Sequence, residues 1–137
     1  MKSTATATWK GGLKQGSGIM NSTTKHFSKL PYTFVSRFVE NKGGTNPEEL
    51  IAAAHAGCYS MALSADLEKA GHKPEQVEAT ATVTMDNGTI TTSQLVVRAK
   101  VPGIGKEEFA KIAAGAKSNC PVSRALNLTI SLDAALV

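Results

Sequence analysis

The segment from Asn46 to Gly71 constrains the chain more than any other. Asn46 is a good helix N-cap, Pro47 suits the first helical position, and Asn46 with Glu49 has the spacing of a capping-box variant. The pattern predicts a helix from there to about Ala70, with Gly71 as its stop. Its apolar stripe reads Leu50/Ile51, Ala54, Cys58, Met61/Ala62 and Ala65, and small residues dominate it. Such a helix can be approached closely from several sides, so it is expected to be central and largely buried, in part against a second copy of the chain.

The flanking segments read as strands and shorter helices. Thr4 to Trp9 alternates strictly. A Gly-rich turn follows (Gly11, Gly12, Gly16, Gly18), then a short strand near Ile19-Met20. Tyr32 to Glu40 alternates again and is expected as a third strand, with Arg37 on the face of Val35 and Val39. Beyond the helix, Val77 to Met85 reads as a half-buried strand, Asn87-Gly88 as a hairpin turn, and Leu95 to Val101 as the returning strand with Arg98 and Lys100 outward. Lys106 to Lys117 and Pro121 to Leu126 read as helices, and Leu128 to Leu132 closes the chain as a strand. The order βββ–α–ββ–α–α–β is an α+β arrangement. A chain of 137 residues is expected to form a single domain over residues 1–137.

Composition narrows the function. Fifteen Lys and Arg against 11 Asp and Glu give a net charge of +4, without the basic stripe that nucleic-acid binding needs. No apolar stretch approaches the roughly 18 residues of a membrane span, and the start lacks a signal-peptide core. The cytoplasm is therefore the expected compartment. Two cysteines there are expected as buried thiols, a redox pair, or a nucleophile with a spare, rather than a permanent staple.

Cys58 falls on the helix stripe, where free Cys is usually a small hydrophobe. Cys120 directly precedes Pro121, at the N-cap of a short helix, where free N–H groups favour a thiolate. Local physics alone thus points to Cys120 as the thiolate. Cys58 would need a cation brought by the fold, and Arg37, costly on an apolar face unless paired, is a candidate. Glu48 is the carboxylate free to hold it, since Glu49 has a capping task. Glu48 and Cys58 are ten residues apart, about 15 Å along a helix, so a shared site needs a bridging Arg or two subunits. His55 lies three residues before Cys58 and could pair with it as a base. Neither a paired-ligand metal spacing nor a phosphate loop is present.

Two stretches carry a family resemblance. Thr45-Asn46-Pro47-Glu48-Glu49-Leu50 followed by Ala52 to Met61, including His55, Cys58 and Tyr59, resembles the first motif of the OsmC (osmotically inducible protein C) family of peroxidases. Asn119-Cys120-Pro121-Val122-Ser123-Arg124-Ala125-Leu126 resembles the second. The resemblance implies an OsmC-like α+β fold, with antiparallel sheets packed around a long central helix, in an intertwined homodimer with active sites at the interface. It implies reduction of organic hydroperoxides, and hydrogen peroxide more weakly, with Cys58 as the peroxidatic thiolate and Cys120 as the resolving thiol. That order reverses the one suggested by local physics. Glu48 matches the family's motif position. Arg37 matches the segment from which the OsmC branch takes its Arg, whereas the Ohr (organic hydroperoxide resistance) branch uses the Gly-rich turn, which here offers only Lys10 and Lys14. Arg98 and Arg124 are fallbacks. The implied cycle runs through a Cys58 sulfenate and a Cys58–Cys120 disulfide, recycled by a dithiol such as a lipoyl protein, with no cofactor. Two other readings stay open: a non-redox thiol enzyme using Cys58 and His55, and a binding dimer with inert thiols.

Overall fold

The computed structural model describes every residue, Met1–Val137. The chain divides into two compact units, Met1–Leu50 and Ile51–Val137. In the first, strands β1 (Ala5–Lys10), β2 (Ser17–Ser22) and β3 (Leu30–Tyr32) form an antiparallel sheet in sequence order. The β1–β2 turn needs glycine at Gly16, where a Cβ would stand 2.4 Å from the Gly12 carbonyl oxygen.

The expected third strand from Tyr32 to Glu40 is not formed beyond Tyr32. Phe34–Phe38 is instead a one-turn helix, α1. The cause is a reciprocal capping box: the Ser36 N–H donates to Thr33 Oγ1 at 3.1 Å, and the Thr33 N–H donates to Ser36 Oγ at 2.9 Å. The Ser36 hydroxyl also donates to the Thr45 carbonyl at 2.8 Å, tying the turn to the segment before the long helix. These bonds override an alternation that favours a strand. Arg37 therefore leaves a helical turn, not a strand face shared with Val35 and Val39.

The long helix α2 (Pro47–Lys69) starts and stops where the sequence says. The Glu49 N–H donates to Asn46 Oδ1 at 2.8 Å, as an N-cap requires. The Glu49 carboxylate does not close the box on Asn46; it accepts from Thr45 Oγ1 at 2.8 Å. At the other end Gly71 takes φ +90°, and the Gly71 and His72 N–H groups donate back to Glu68 and Leu67, each at 2.9 Å. This is a Schellman stop, which a left-handed glycine makes cheap.

In the second unit α2 buries His55, Tyr59, Leu63 and Leu67, spaced by four. The buried stripe is rotated from the expected one: Ala54, Met61 and Ala65 are exposed in this chain, and Cys58 is half-buried. Strands β4 (Gln76–Asp86) and β5 (Thr89–Lys100) form the expected hairpin, with Asn87 and Gly88 both at positive φ. Helices α3 (Lys106–Asn119) and α4 (Pro121–Ala125) then lead to β6 (Thr129–Leu136), which pairs with β5 in parallel. That pairing departs from the antiparallel expectation, and the two intervening helices are the crossover that parallel neighbours require. The core gathers Tyr59, Leu63 and Leu67 from α2, Leu95, Val97 and Ala99 from β5, Phe109, Ala113 and Ala116 from α3, and Cys120.

Candidate active site

Two clusters hold the residues singled out by the sequence, one in each unit. In the first, α1 presents Arg37 to Glu48 in the opening turn of α2. Nη2 donates to Oε1 at 2.8 Å, and Nε lies 3.2 Å from Oε1 and 3.3 Å from Oε2. Glu48 is 10% exposed at its side chain and Arg37 35%, so the acid is buried and the guanidinium reaches the surface. The Arg37 guanidinium also stands 5.1 Å from the centre of the Phe38 ring. Asn46 braces this corner, donating from Nδ2 to the Ser36 carbonyl at 3.1 Å and to Asn41 Oδ1 at 3.2 Å. The expected Arg37–Glu48 pair is present. Of the fallback arginines, Arg98 pairs with Asp133 at 3.3 Å across the β5–β6 ladder, and Arg124 is exposed.

In the second unit α2 and the α3–α4 junction bring the two cysteines together. Both are free thiols: Cys58 is half-buried and packed against the core that includes the fully buried Cys120, and each sulfur shifts the other's ionisation. Burial pushes the Cys58 thiol up, and the Cys120 side chain adds to the rise, against a weaker opposing contribution from the Val122 N–H. Burial also raises Cys120. There it is outweighed by nearby donors, the Cys58 thiol, the Ser123 N–H and hydroxyl and the Val122 N–H, so Cys120 settles below the ordinary cysteine range. Of the two sulfurs, the surroundings favour the thiolate on Cys120. The Tyr59 hydroxyl donates to the Ala113 carbonyl at 3.0 Å, and burial beside Cys120 pushes its phenol well above the usual range.

His55 does not serve Cys58 as a base. Its ring is fully buried, with Nδ1 2.7 Å from Ser93 Oγ on β5 and Nε2 2.8 Å from Ser123 Oγ on α4. Both nitrogens are committed to hydroxyls, which removes the partner that the non-redox reading needs. Sequence reasoning missed Ser93 and Ser123. Ser123 lay inside the second motif, but Ser93 is an ordinary strand residue with no local signal. No group of three or more His, Cys, Asp or Glu side chains is arranged to hold a metal, and no helix is long and apolar enough to cross a membrane.

A family model described as OsmC-like protein matches residues 40–134, which include Glu48, Cys58 and Cys120. The chain belongs to the OsmC-like family. It is 44% identical over 131 residues to a protein of Escherichia coli (strain K12) named Peroxiredoxin OsmC, covering 93% of this chain and 91% of that one. It is 32% identical over 100 residues to a Staphylococcus saprophyticus protein named Organic hydroperoxide resistance protein-like 1, covering 69% of this chain and 71% of that one. A solved structure of an OsmC-like protein from Mycoplasma pneumoniae superposes with a TM-score of 0.76 over 100% of this chain and 98% of that one. At 16% identity that likeness shows the OsmC fold alone.

Proposed function

We propose that this chain reduces organic hydroperoxides, and hydrogen peroxide more weakly, through a Cys58 sulfenate and a Cys58–Cys120 disulfide. Its class, a thiol-dependent peroxidase of the stress-defence type, rests on family membership and on 44% identity to a protein named a peroxiredoxin. The observation that carries the route is the packing of a half-buried Cys58 against the core that holds a fully buried Cys120, with each sulfur shifting the other's ionisation. This packing explains how the roles divide. Cys120 holds charge better, but a peroxide must reach the sulfur it meets, and only Cys58 has exposed surface.

The Cys58 thiol gives its proton to Cys120, and the Cys58 thiolate attacks the peroxide. An S–O bond forms, the O–O bond breaks, and the alkoxide takes a proton and leaves as an alcohol. Cys120 then attacks the Cys58 sulfenic acid, an S–S bond replaces S–O, and water leaves. An external dithiol, for which a lipoyl group is chemically suited, reduces the disulfide. No cofactor enters the peroxide step.

Arg37, held by Glu48, is assigned to stabilise the Cys58 thiolate and polarise the peroxide. The assembly is a homodimer with its active sites at the interface. Support comes from the exposed face of α2, where Met61 is 75% exposed among Ala53, Ala54, Gly57 and Ala65.

The test is titration of the reduced protein with one equivalent of cumene hydroperoxide or hydrogen peroxide, followed by intact mass and peptide mapping. The expected result is loss of two hydrogens and a Cys58–Cys120 link, formed faster with the organic peroxide. Two thiols that stay free, or that oxidise slowly and at random, would falsify the reading.

A further inference from the structure

His55 is the buried ionisable side chain for which the peroxidase route has no task. It sits in a line of hydrogen bonds that leads to the thiol pair: Ser93 Oγ, 2.7 Å to Nδ1, and Nε2, 2.8 Å to Ser123 Oγ; Ser123 is the third residue of α4, whose N-cap is Cys120, and its hydroxyl and the Cys58 thiol are the side chains that favour charge on the Cys120 sulfur. No buried side-chain nitrogen or oxygen is left without a partner. Burial holds the imidazole neutral by lowering its pKa, so one nitrogen carries hydrogen and the other accepts.

Proton counting then leaves two arrangements. The Ser123 hydroxyl has one hydrogen. If it points to the Cys120 sulfur, Ser123 can only accept from His55, so Nε2 carries hydrogen and Nδ1 accepts from the Ser93 hydroxyl. If Nδ1 carries hydrogen instead, it donates to Ser93, Nε2 must accept from Ser123, and the hydroxyl proton is withdrawn from Cys120. The tautomer of one histidine therefore decides whether Cys120 has a hydroxyl donor.

We propose that His55 is a positioning residue of the thiol pair: its Nε2–H tautomer aims the Ser123 hydroxyl at Cys120 and steadies the thiolate that resolves the Cys58 sulfenic acid. In that step the S–S bond forms, the S–O bond breaks, and the departing hydroxide takes up the proton that Cys120 released. Within this unit the other ionisable group against the sulfurs is Tyr59, whose hydroxyl is committed to the Ala113 carbonyl. The role in resolution rests on the peroxidase reading, but the relay itself is tested without peroxide.

Two measurements decide it. Nitrogen NMR of the histidine rings in the reduced wild-type protein needs no variant, and the expected state of His55 is neutral with hydrogen on Nε2. Hydrogen on Nδ1, or a doubly protonated ring at neutral pH, overturns the proposal. The second is thiolate absorbance against pH. Ser123→Ala is expected to move the first thiolate to higher pH by about one pH unit, a tenfold change in its ionisation constant and the scale of one hydrogen bond to a charge. His55→Met should do the same, and His55→Gln, whose amide can still donate to Ser123, should recover most of the loss. A Ser123→Ala profile superimposable on wild type overturns the proposal, and so does an equal loss in His55→Gln and His55→Met. Since neither measurement uses peroxide, the relay can fail while the peroxidase stands, and the reverse.

Discussion

Arg37 grips Glu48 through two nitrogens, with Nη2 2.8 Å from Oε1 and Nε within 3.3 Å of both carboxylate oxygens. Lysine cannot reproduce that fork, because its ammonium is a point charge on a flexible stem. Arg37→Lys and Glu48→Gln are therefore each expected to lower kcat/KM for cumene hydroperoxide by about a hundredfold, the scale seen when one preorganised charge-stabilising donor is lost. The double variant should be little worse than either single one, because the two residues act as a unit. Wild-type kcat/KM in Arg37→Lys would remove Arg37 from the mechanism.

The coupled thiols predict a two-step titration. One thiolate should appear below the ordinary cysteine range, because groups of three residues (Cys58, Val122 and Ser123) favour charge on Cys120, and the second should appear above it, because Cys58 must then ionise beside a charge. Cys120→Ser leaves Cys58 with a neutral neighbour. It should still form one sulfenate per chain, trapped by a dimedone-type reagent, but lose multiple turnover with a dithiol. Sustained turnover in Cys120→Ser would point instead to a mechanism that needs only Cys58.

Much of this was legible in the sequence because it is local. The Asn46 cap, the Gly71 stop and the Asn87-Gly88 hairpin are each decided within a few residues, and each is found where expected. Arg37 with Glu48 was also legible, since a lone arginine among apolar neighbours asks for a carboxylate. In the segment carrying Arg37, alternation from Tyr32 to Glu40 favours a strand, but the Thr33-x-x-Ser36 capping box prevails with the help of the Ser36 bond to the Thr45 carbonyl, which is tertiary and has no local signal. The His55 contacts were out of reach for the same reason: Ser93 and Ser123 lie 38 and 68 residues away, and nothing in a period or a cap connects them.

Asn46 joins the cap to the corner that holds Arg37, so its loss should be felt beyond the helix end. Its Oδ1 caps Glu49, and its Nδ2 serves the Ser36 carbonyl and Asn41 in a position only 6% exposed. Asn46→Ala removes all three bonds and leaves a buried carbonyl short of a donor. The expected destabilisation is about 2 kcal/mol, at the upper end for an N-cap. Urea unfolding at fixed slope measures it, and a shift below a few tenths of a kcal/mol would mean that water replaces the side chain without loss.

The buried His55 makes stability depend on pH with a definite sign. Its folded-state pKa is depressed from 6.5 by burial, so the folded protein resists a proton that the unfolded chain accepts. Above the unfolded value both states are neutral at this position, and the contribution is fully present. As pH falls below about 6.5 the unfolded chain binds the proton first, and stability drops by up to about 1.4 kcal/mol per pH unit. The loss levels off once pH passes the folded-state value, where the folded ring is protonated too. Carboxylates titrate in the same region, so the contribution is read as a difference between wild type and His55→Gln. Unfolding free energies measured from pH 7.5 to 5 should fall more steeply for wild type. Parallel curves would mean that the folded protein accommodates a charged His55, and would place the Ser93 and Ser123 hydroxyls as acceptors of an imidazolium.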